Sequence, residues 1–453
     1  MVKQIPQPVW PALISALLFM GLVLWIQPTF LVDDYLYLGL SYKENFGIDS
    51  FGALFSRMPV TVPMLYLIYS LQKPYLVYLA MSLMFFFRCL GILLISRWLF
   101  EAFCGLGVDK ERLEGISGKA APAGTKQTDF NRMIKWSWLL AIVAPFWPGF
   151  YEIIYWTAAS PYGIGGLLVS GFLYSRVSAI KILCLTLAFL TTESFIFLSM
   201  SLLIIGIALK KFAPKDFFYI VASGGLFFVV RQVLAIWYDH FPSKIDFTWI
   251  EFLDRAERSF FHIFSIEFYK VNWVATALLW LASLFLLSKW AYRFWDRKFR
   301  LIGFIVAAFL PASYLLLLLY SASRAAYGMQ ILYVSLIVAS IYLFAALDAK
   351  RPAGNNRPTG QKCLSLLAFV PTKAILILFL LAITVGQGRV LKVKFDNSRS
   401  LRAFEEKFYE QLALKGESRI DEIDFDPRSA VGNDWVLPDW ALETYKTWLL
   451  LKK

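Results

Sequence analysis

Asp33 and Asp34 stand side by side directly after the first long apolar run, with Tyr37 three residues beyond Asp34. Carboxylates at the edge of a membrane are expensive to place, which makes them candidates for function rather than packing. A carboxylate so placed can take a proton from a hydroxyl within hydrogen-bond reach. The plainer alternative is that both acids sit in headgroup water and merely end the helix. Other residues of chemical interest lie further along: Arg57, Glu152, Glu193, Arg231, Arg324 and Tyr327. The arginines suit two-pronged recognition of phosphate, although Arg57 and Arg324 are equally readable as anchors snorkelling to headgroups. Glu152 sits in the aromatic stretch Trp147 to Trp156, broken by Pro148 and Gly149. That stretch reads either as an interface belt or as a wall on which a sugar stacks. Glu193 occupies the corner Thr192-Glu193-Ser194 between two short apolar runs. It faces either bulk water or a cavity that the shortness of those runs would create.

The elements that must position these residues are membrane spans. The chain has 453 residues, 58% of them hydrophobic and 17% aromatic, with a mean hydropathy of +0.59. Apolar runs of this number and length exclude an ordinary soluble domain and predict an all-α polytopic membrane protein. About eleven spans are expected, near 10–30, 75–99, 136–150, 161–176, 178–192, 194–209, 217–238, 272–289, 301–320, 327–348 and 363–388. The first lacks a small-x-small cleavage site before Asp33, so it is read as a retained span. The pair 178–192 and 194–209 falls short of the ~20 residues a full crossing needs. Short helices are tolerated where they border a protein cavity instead of lipid.

Basic residues set the orientation. Lys110, Arg112, Lys119, Lys126, Arg132 and Lys135 share one connection, and Arg293, Arg297, Lys298 and Arg300 crowd another. Arg324 is the single basic residue in the short connections on the opposite side. The expected topology puts the N-terminus in the cytoplasm of a bacterium. It puts Asp33-Asp34, the long loops 31–74 and 239–271, and the tail in the periplasm. The net charge of +13 is then a topology signal and asks for no nucleic-acid partner. None of the four cysteines (Cys89, Cys104, Cys184, Cys363) lies in an external segment, so no disulfide is expected. No Cys/His spacing suggests a metal site, and the two histidines, His240 and His262, read as loop polar residues. Arg88 and Lys373 fall nearer mid-membrane, where structural pairing is expected although no acidic partner is apparent.

The external segments carry amphipathic patterns. A short run from Val60 to Leu71, opened by Pro59 and Pro63, suits a helix lying at the interface. Glu251 to Phe264 has helical spacing of Phe252, Ala256, Phe260 and Ile263. From 389 to 453 the composition becomes that of a soluble segment, predicting a small α/β periplasmic domain behind a transmembrane domain of 1–388. Asn397-Ser398 can cap a helix to about Leu414, Ile420 to Phe425 alternates like a strand, and Asp439 to Leu450 reads as a last helix. So small a unit has a marginal core and is expected to pack on the external loops.

This combination resembles the GT-C membrane glycosyltransferases, which take a sugar from a polyprenyl-phosphate carrier. The resemblance rests on the acidic pair after the first span, the interfacial helices beyond it, the many spans and the external tail. Family members that transfer mannose or aminoarabinose show Asp-Glu with an aromatic three residues later. Here Asp33-Asp34-x-x-Tyr37 keeps the spacing with Asp in place of Glu. In size and layout the chain looks most like bacterial enzymes that decorate O-antigen or other surface glycans. The resemblance implies that Asp33 is the general base and that Asp34 positions the base or acceptor. It also implies an inverting transfer from a polyprenyl-phosphate sugar to a glycan or lipid-linked acceptor. Arg57, Arg231 and Arg324 are the candidates for facing the donor phosphate, with Tyr327 adding a hydroxyl. A lipid phosphate leaving group makes no divalent ion obligatory, so no cofactor is required. Two rivals remain. A polymerase or ligase of lipid-linked glycans would rely on loop arginines instead of acids after the first span. A transporter would show internal repeats with matched broken helices.

Overall fold

The structure, a computed structural model, describes residues 7–26, 55, 58–70, 74–104, 138–147, 157–238, 267–294, 303, 323–348, 370–416, 423, 446 and 449. The chain begins with α1 (Val9–Ile26), α2 (Thr61–Ser70) and α3 (Pro74–Cys104). A helical stretch 138–143 tightens into the 3-10 turn Ala144–Phe146, and a second 3-10 turn covers Thr157–Tyr162. Then come α4 (Gly163–Tyr174), α5 (Ser178–Thr191), α6 (Ser194–Ala208), α7 (Phe217–Trp237), α8 (Glu267–Phe294), α9 (Ser323–Asp348) and α10 (Thr372–Lys415). Among the described residues there is no strand. The expected strand at 420–425, the helix at 251–264 and the span at 301–320 lie outside them, Ile423 and Gly303 apart.

Among the described residues, five helices are long and apolar enough to cross a membrane: Val9–Ile26, Tyr75–Cys104, Pro214–Trp237, Tyr327–Ala345 and Thr372–Lys415. They mark a helical membrane protein. Helix α3 is the hub, lying against α1, α4 and α9. The apolar stretch of α9 is 83% buried and that of α7 only 22%. Helix α9 is therefore a core helix, while α7 turns Phe218, Phe228, Ile236 and Trp237 outwards.

Helices α5 and α6 have 14 and 15 residues, which at ~1.5 Å per residue spans about 21–23 Å, short of a ~30 Å hydrocarbon layer. Their corner is covered by protein: Thr191, Thr192 and Ser194 are all buried. Thr61 at the start of α2 donates to the Thr191 carbonyl at 2.9 Å and pins the interfacial-length helix to this corner.

The last helix departs from expectation. Asn397-Ser398 does not begin a new helix, because α10 runs unbroken for 44 residues from Thr372 to Lys415. At ~1.5 Å per residue it is about 66 Å long, twice the hydrocarbon thickness, so a large part must project beyond the bilayer. It stops at Gly416, whose φ of 83° suits glycine. The Ser398 hydroxyl donates instead to the carbonyl of Ile26 at 2.6 Å, and Arg402 donates to the same oxygen at 2.9 Å. Trp25 stacks on Phe395 at 5.0 Å. The last carbonyls of α1, which no helical N–H can satisfy, are thus met by a hydroxyl and a cation, the charge favoured at a helix C-terminus.

Lys373 is the second residue of α10 and exposed. Lys289 is buried; its ammonium donates to Thr372 at 2.9 Å and lies 5.7 Å from the Phe344 ring. Cys89 and Cys184 are free thiols.

Candidate functional site

Two arginines have polar partners within the bundle. The first is Arg88, midway along α3 and 2% exposed. Its Nε donates to the Tyr327 hydroxyl at 2.7 Å. The guanidinium carbon lies 5.1 Å from the Tyr327 ring and 5.7 Å from the Phe85 ring. Such stacking suits a guanidinium, which is planar and weakly hydrated. Tyr327 is fully buried between Tyr162, at 6.3 Å, and Phe195, edge-on at 5.9 Å. Tyr162 in turn donates to the Met58 sulfur. Arg88 therefore pairs structurally, as its depth in the membrane suggests, but the group at its Nε is a phenol instead of an acid.

The second is Arg231 on α7, which donates to Glu193 at 2.7 Å with both side chains 17% exposed. The Phe227 ring lies 5.4 Å from its guanidinium. Glu193 is thus paired with an arginine at the corner between α5 and α6. Helix α6 begins at Ser194, immediately after Glu193, and Phe195 one residue on packs against Tyr327. Gly328 follows Tyr327, and a Cβ there would stand 2.3 Å from the Ser194 carbonyl. Only glycine lets α6 and α9 approach this closely, as small residues do at helix contacts in membranes. The Glu193–Arg231 pair and the Arg88–Tyr327 pair are consequently joined through two residues of α6.

Phe19 of α1 stacks on Phe85 of α3 at 4.3 Å, one turn from Arg88, and α1 continues from there to Ile26. Asp33 and Asp34 follow Ile26 in the chain and lie outside the described residues, as do Arg57 and Glu152. Arg324 stands in the first turn of α9, close in sequence to Tyr327, but only its backbone is described. The structure thus brings together Glu193, Arg231 and Tyr327 of the expected set. It adds Arg88, whose signal in the sequence was its charge inside an apolar helix. Among the described residues no group of three or more His, Cys, Asp or Glu is placed to hold a metal ion.

No protein-family model matches the chain, and no curated protein or solved structure matches it either.

Proposed function

We propose that the protein is an inverting glycosyltransferase that moves a sugar from a polyprenyl-phosphate carrier to a glycan or lipid-linked acceptor. The observation that supports this reading is the pairing of Arg88 with Tyr327 inside the bundle, linked through α6 to the Glu193–Arg231 ion pair. In the reaction an acceptor hydroxyl attacks the anomeric carbon and gives its proton to the Asp33 carboxylate. The bond between that carbon and the phosphate oxygen breaks, and the lipid phosphate leaves with the electron pair. Asp34 orients the base or the acceptor. Arginines stabilise the departing charge by two-pronged hydrogen bonds, drawn from Arg57, Arg231 and Arg324, with Arg88 and Tyr327 behind them. Glu193 holds Arg231 in its rotamer until the phosphate arrives. Because the leaving group is a lipid phosphate and not a nucleotide, the scheme needs no divalent ion.

In this reading the protein sits in the inner membrane of a bacterium with about eleven spans, its N-terminus cytoplasmic and its loops and tail periplasmic. The basic residues at one set of connections support the orientation, and a helix too long for the bilayer supports a projecting tail. The test is transfer from radiolabelled polyprenyl-phosphate sugars by purified protein, with periplasmic glycan or lipid-linked glycan as acceptor. Label reaching the acceptor supports the reading. Label that crosses a vesicle membrane still attached to its lipid would make the protein a transporter.

A further inference from the structure

At the end of α5 and α6 opposite the Glu193–Arg231 pair, three aromatic rings surround a cation. The Lys181 ammonium lies 4.7 Å from the centre of the Tyr219 ring, 5.4 Å from Phe212 and 5.9 Å from Phe172. The rings support one another. Phe172 stacks on Phe212 at 5.4 Å and meets Tyr219 edge-on at 6.4 Å, and Trp98 of α3 stacks on Phe212 at 5.6 Å. The Ser178 and Tyr219 hydroxyls share a hydrogen bond of 3.0 Å, which ties the start of α5 to the start of α7. Helix α6 ends against the same rings. Lys210 turns the chain with a φ of 57°, and the amides of Lys211 and Phe212 both donate to the Gly206 carbonyl, at 2.7 and 3.2 Å.

This corner is strongly basic. Arg176 in the link from α4, Lys181 in the first turn of α5, and Lys210, Lys211 and Lys215 between α6 and α7 are set against a single acid, Asp216. That acid is already engaged, since its carboxylate accepts from the Ala213 N–H at 2.7 Å. On α3, one turn from Trp98, Glu101 is held by Arg97 at 3.0 Å. Among the described residues none of the five cations has a carboxylate within ion-pair distance. The rings fix the Lys181 ammonium but offer its N–H groups no oxygen. A cation in the first turn also sits at the positive end of the helix dipole, and α5 starts without a side-chain cap. Lys210 takes a backbone conformation that glycine adopts at less cost. Both lysines are thus placed against a local penalty, and an anion bound at the corner would compensate for it.

Further along the same two helices the surface is apolar. Ile180 and Leu183 of α5 and Phe218 and Val221 of α7 are exposed. The helices are locked together here by Ser223, whose hydroxyl donates to the Ile182 carbonyl at 3.1 Å. Exposed apolar side chains suit acyl chains, and cations at the helix ends suit phosphate at headgroup depth. A soluble anion would use the cations alone, whereas a phospholipid uses both surfaces. We propose that this corner of α5 and α7 is a binding site for an anionic phospholipid, with its phosphate on Lys181 and the neighbouring cations and its chains along the two helices. The proposal stands apart from sugar transfer, whose groups lie at the other end of α5 and α6.

The experiment measures the melting temperature of purified full-length protein in neutral detergent, titrated with phosphatidylglycerol, cardiolipin or phosphatidylcholine of matched acyl chains. Inorganic phosphate and glycerol phosphate are the soluble controls. A ligand that binds the folded state raises Tm according to its concentration and affinity. The two anionic lipids are expected to raise Tm at lower concentration than phosphatidylcholine, and added salt should shrink the difference. Lys181→Met keeps an unbranched stem against the rings and removes the charge. It is expected to bind the anionic lipids about fivefold more weakly, the contribution of one lysine near an anionic headgroup. Where that variant is poorly folded, the double variant Lys211→Gln, Lys215→Gln serves, with a loss at least as large. Equal shifts from anionic and zwitterionic lipids would overturn the proposal, as would an anionic preference undiminished in these variants. Shifts from the soluble phosphates equal to those from the lipids would also overturn it, leaving a site for a free anion.

Discussion

The Arg88 guanidinium donates to a phenol that is contributed from 239 residues away. That separation explains why its partner was not legible in the sequence. A search for acids along the chain finds none nearby, while a tyrosine on a distant helix carries no mark of its role. The charge itself was legible, since an arginine within a span calls for an internal partner. Glu193 and Arg231 were each readable as site candidates, but their pairing across 38 residues and two helices required the fold. Tyr327→Phe keeps the ring beneath the guanidinium and deletes only the hydroxyl. It is expected to cost about 1.5–3 kcal/mol, the contribution of a hydrogen bond to a charged group, read as a lower denaturation midpoint in detergent. Glu193→Gln releases Arg231 from its partner. The donor KM should rise on the order of tenfold, equivalent to about 1.4 kcal/mol of lost preorganisation. Unchanged KM and kcat would reduce the ion pair to a contact at a hairpin tip.

At the scale of elements, the short pair α5 and α6 was visible as two apolar runs too brief to cross a bilayer. In the structure Thr191, Thr192 and Ser194 at their corner are buried. The course of α10 was less legible, because Asn397-Ser398 is as good a helix start as it is a tolerated helix interior. Tertiary structure decided: the Ser398 hydroxyl is spent on the Ile26 carbonyl, 372 residues distant. The packing of α6 on α9 offers a direct check. Gly328→Ala would set a methyl 2.3 Å from the Ser194 carbonyl, so the two backbones must separate. Overpacking of this kind costs about 1–3 kcal/mol. The variant should melt earlier and lose part of its activity, and a neutral effect on Tm would show that the two helices approach less closely than described.

Over the whole molecule, the helical membrane architecture was readable from apolar runs, since hydrophobic length is set by bilayer thickness and little else. The orientation rests on basic residues and has its own test. Alkaline phosphatase fused after Leu414 should be active, and a fusion after Gly124 silent. The opposite pattern would move Asp33-Asp34 to the cytoplasmic side and remove the proposed periplasmic chemistry. The proposed sugar transfer turns on proton abstraction by the acids that follow α1. The most direct measurement is the rate of label transfer from a polyprenyl-phosphate sugar by the wild type and by Asp33→Asn, with insertion and Tm compared in parallel. The substitution keeps the shape of the side chain and removes its basicity, so the rate should fall by about 10²- to 10⁴-fold, the contribution of a general base, at unchanged Tm. Transfer by Asp33→Asn at the wild-type rate would contradict the account and return the acidic pair to the headgroup water.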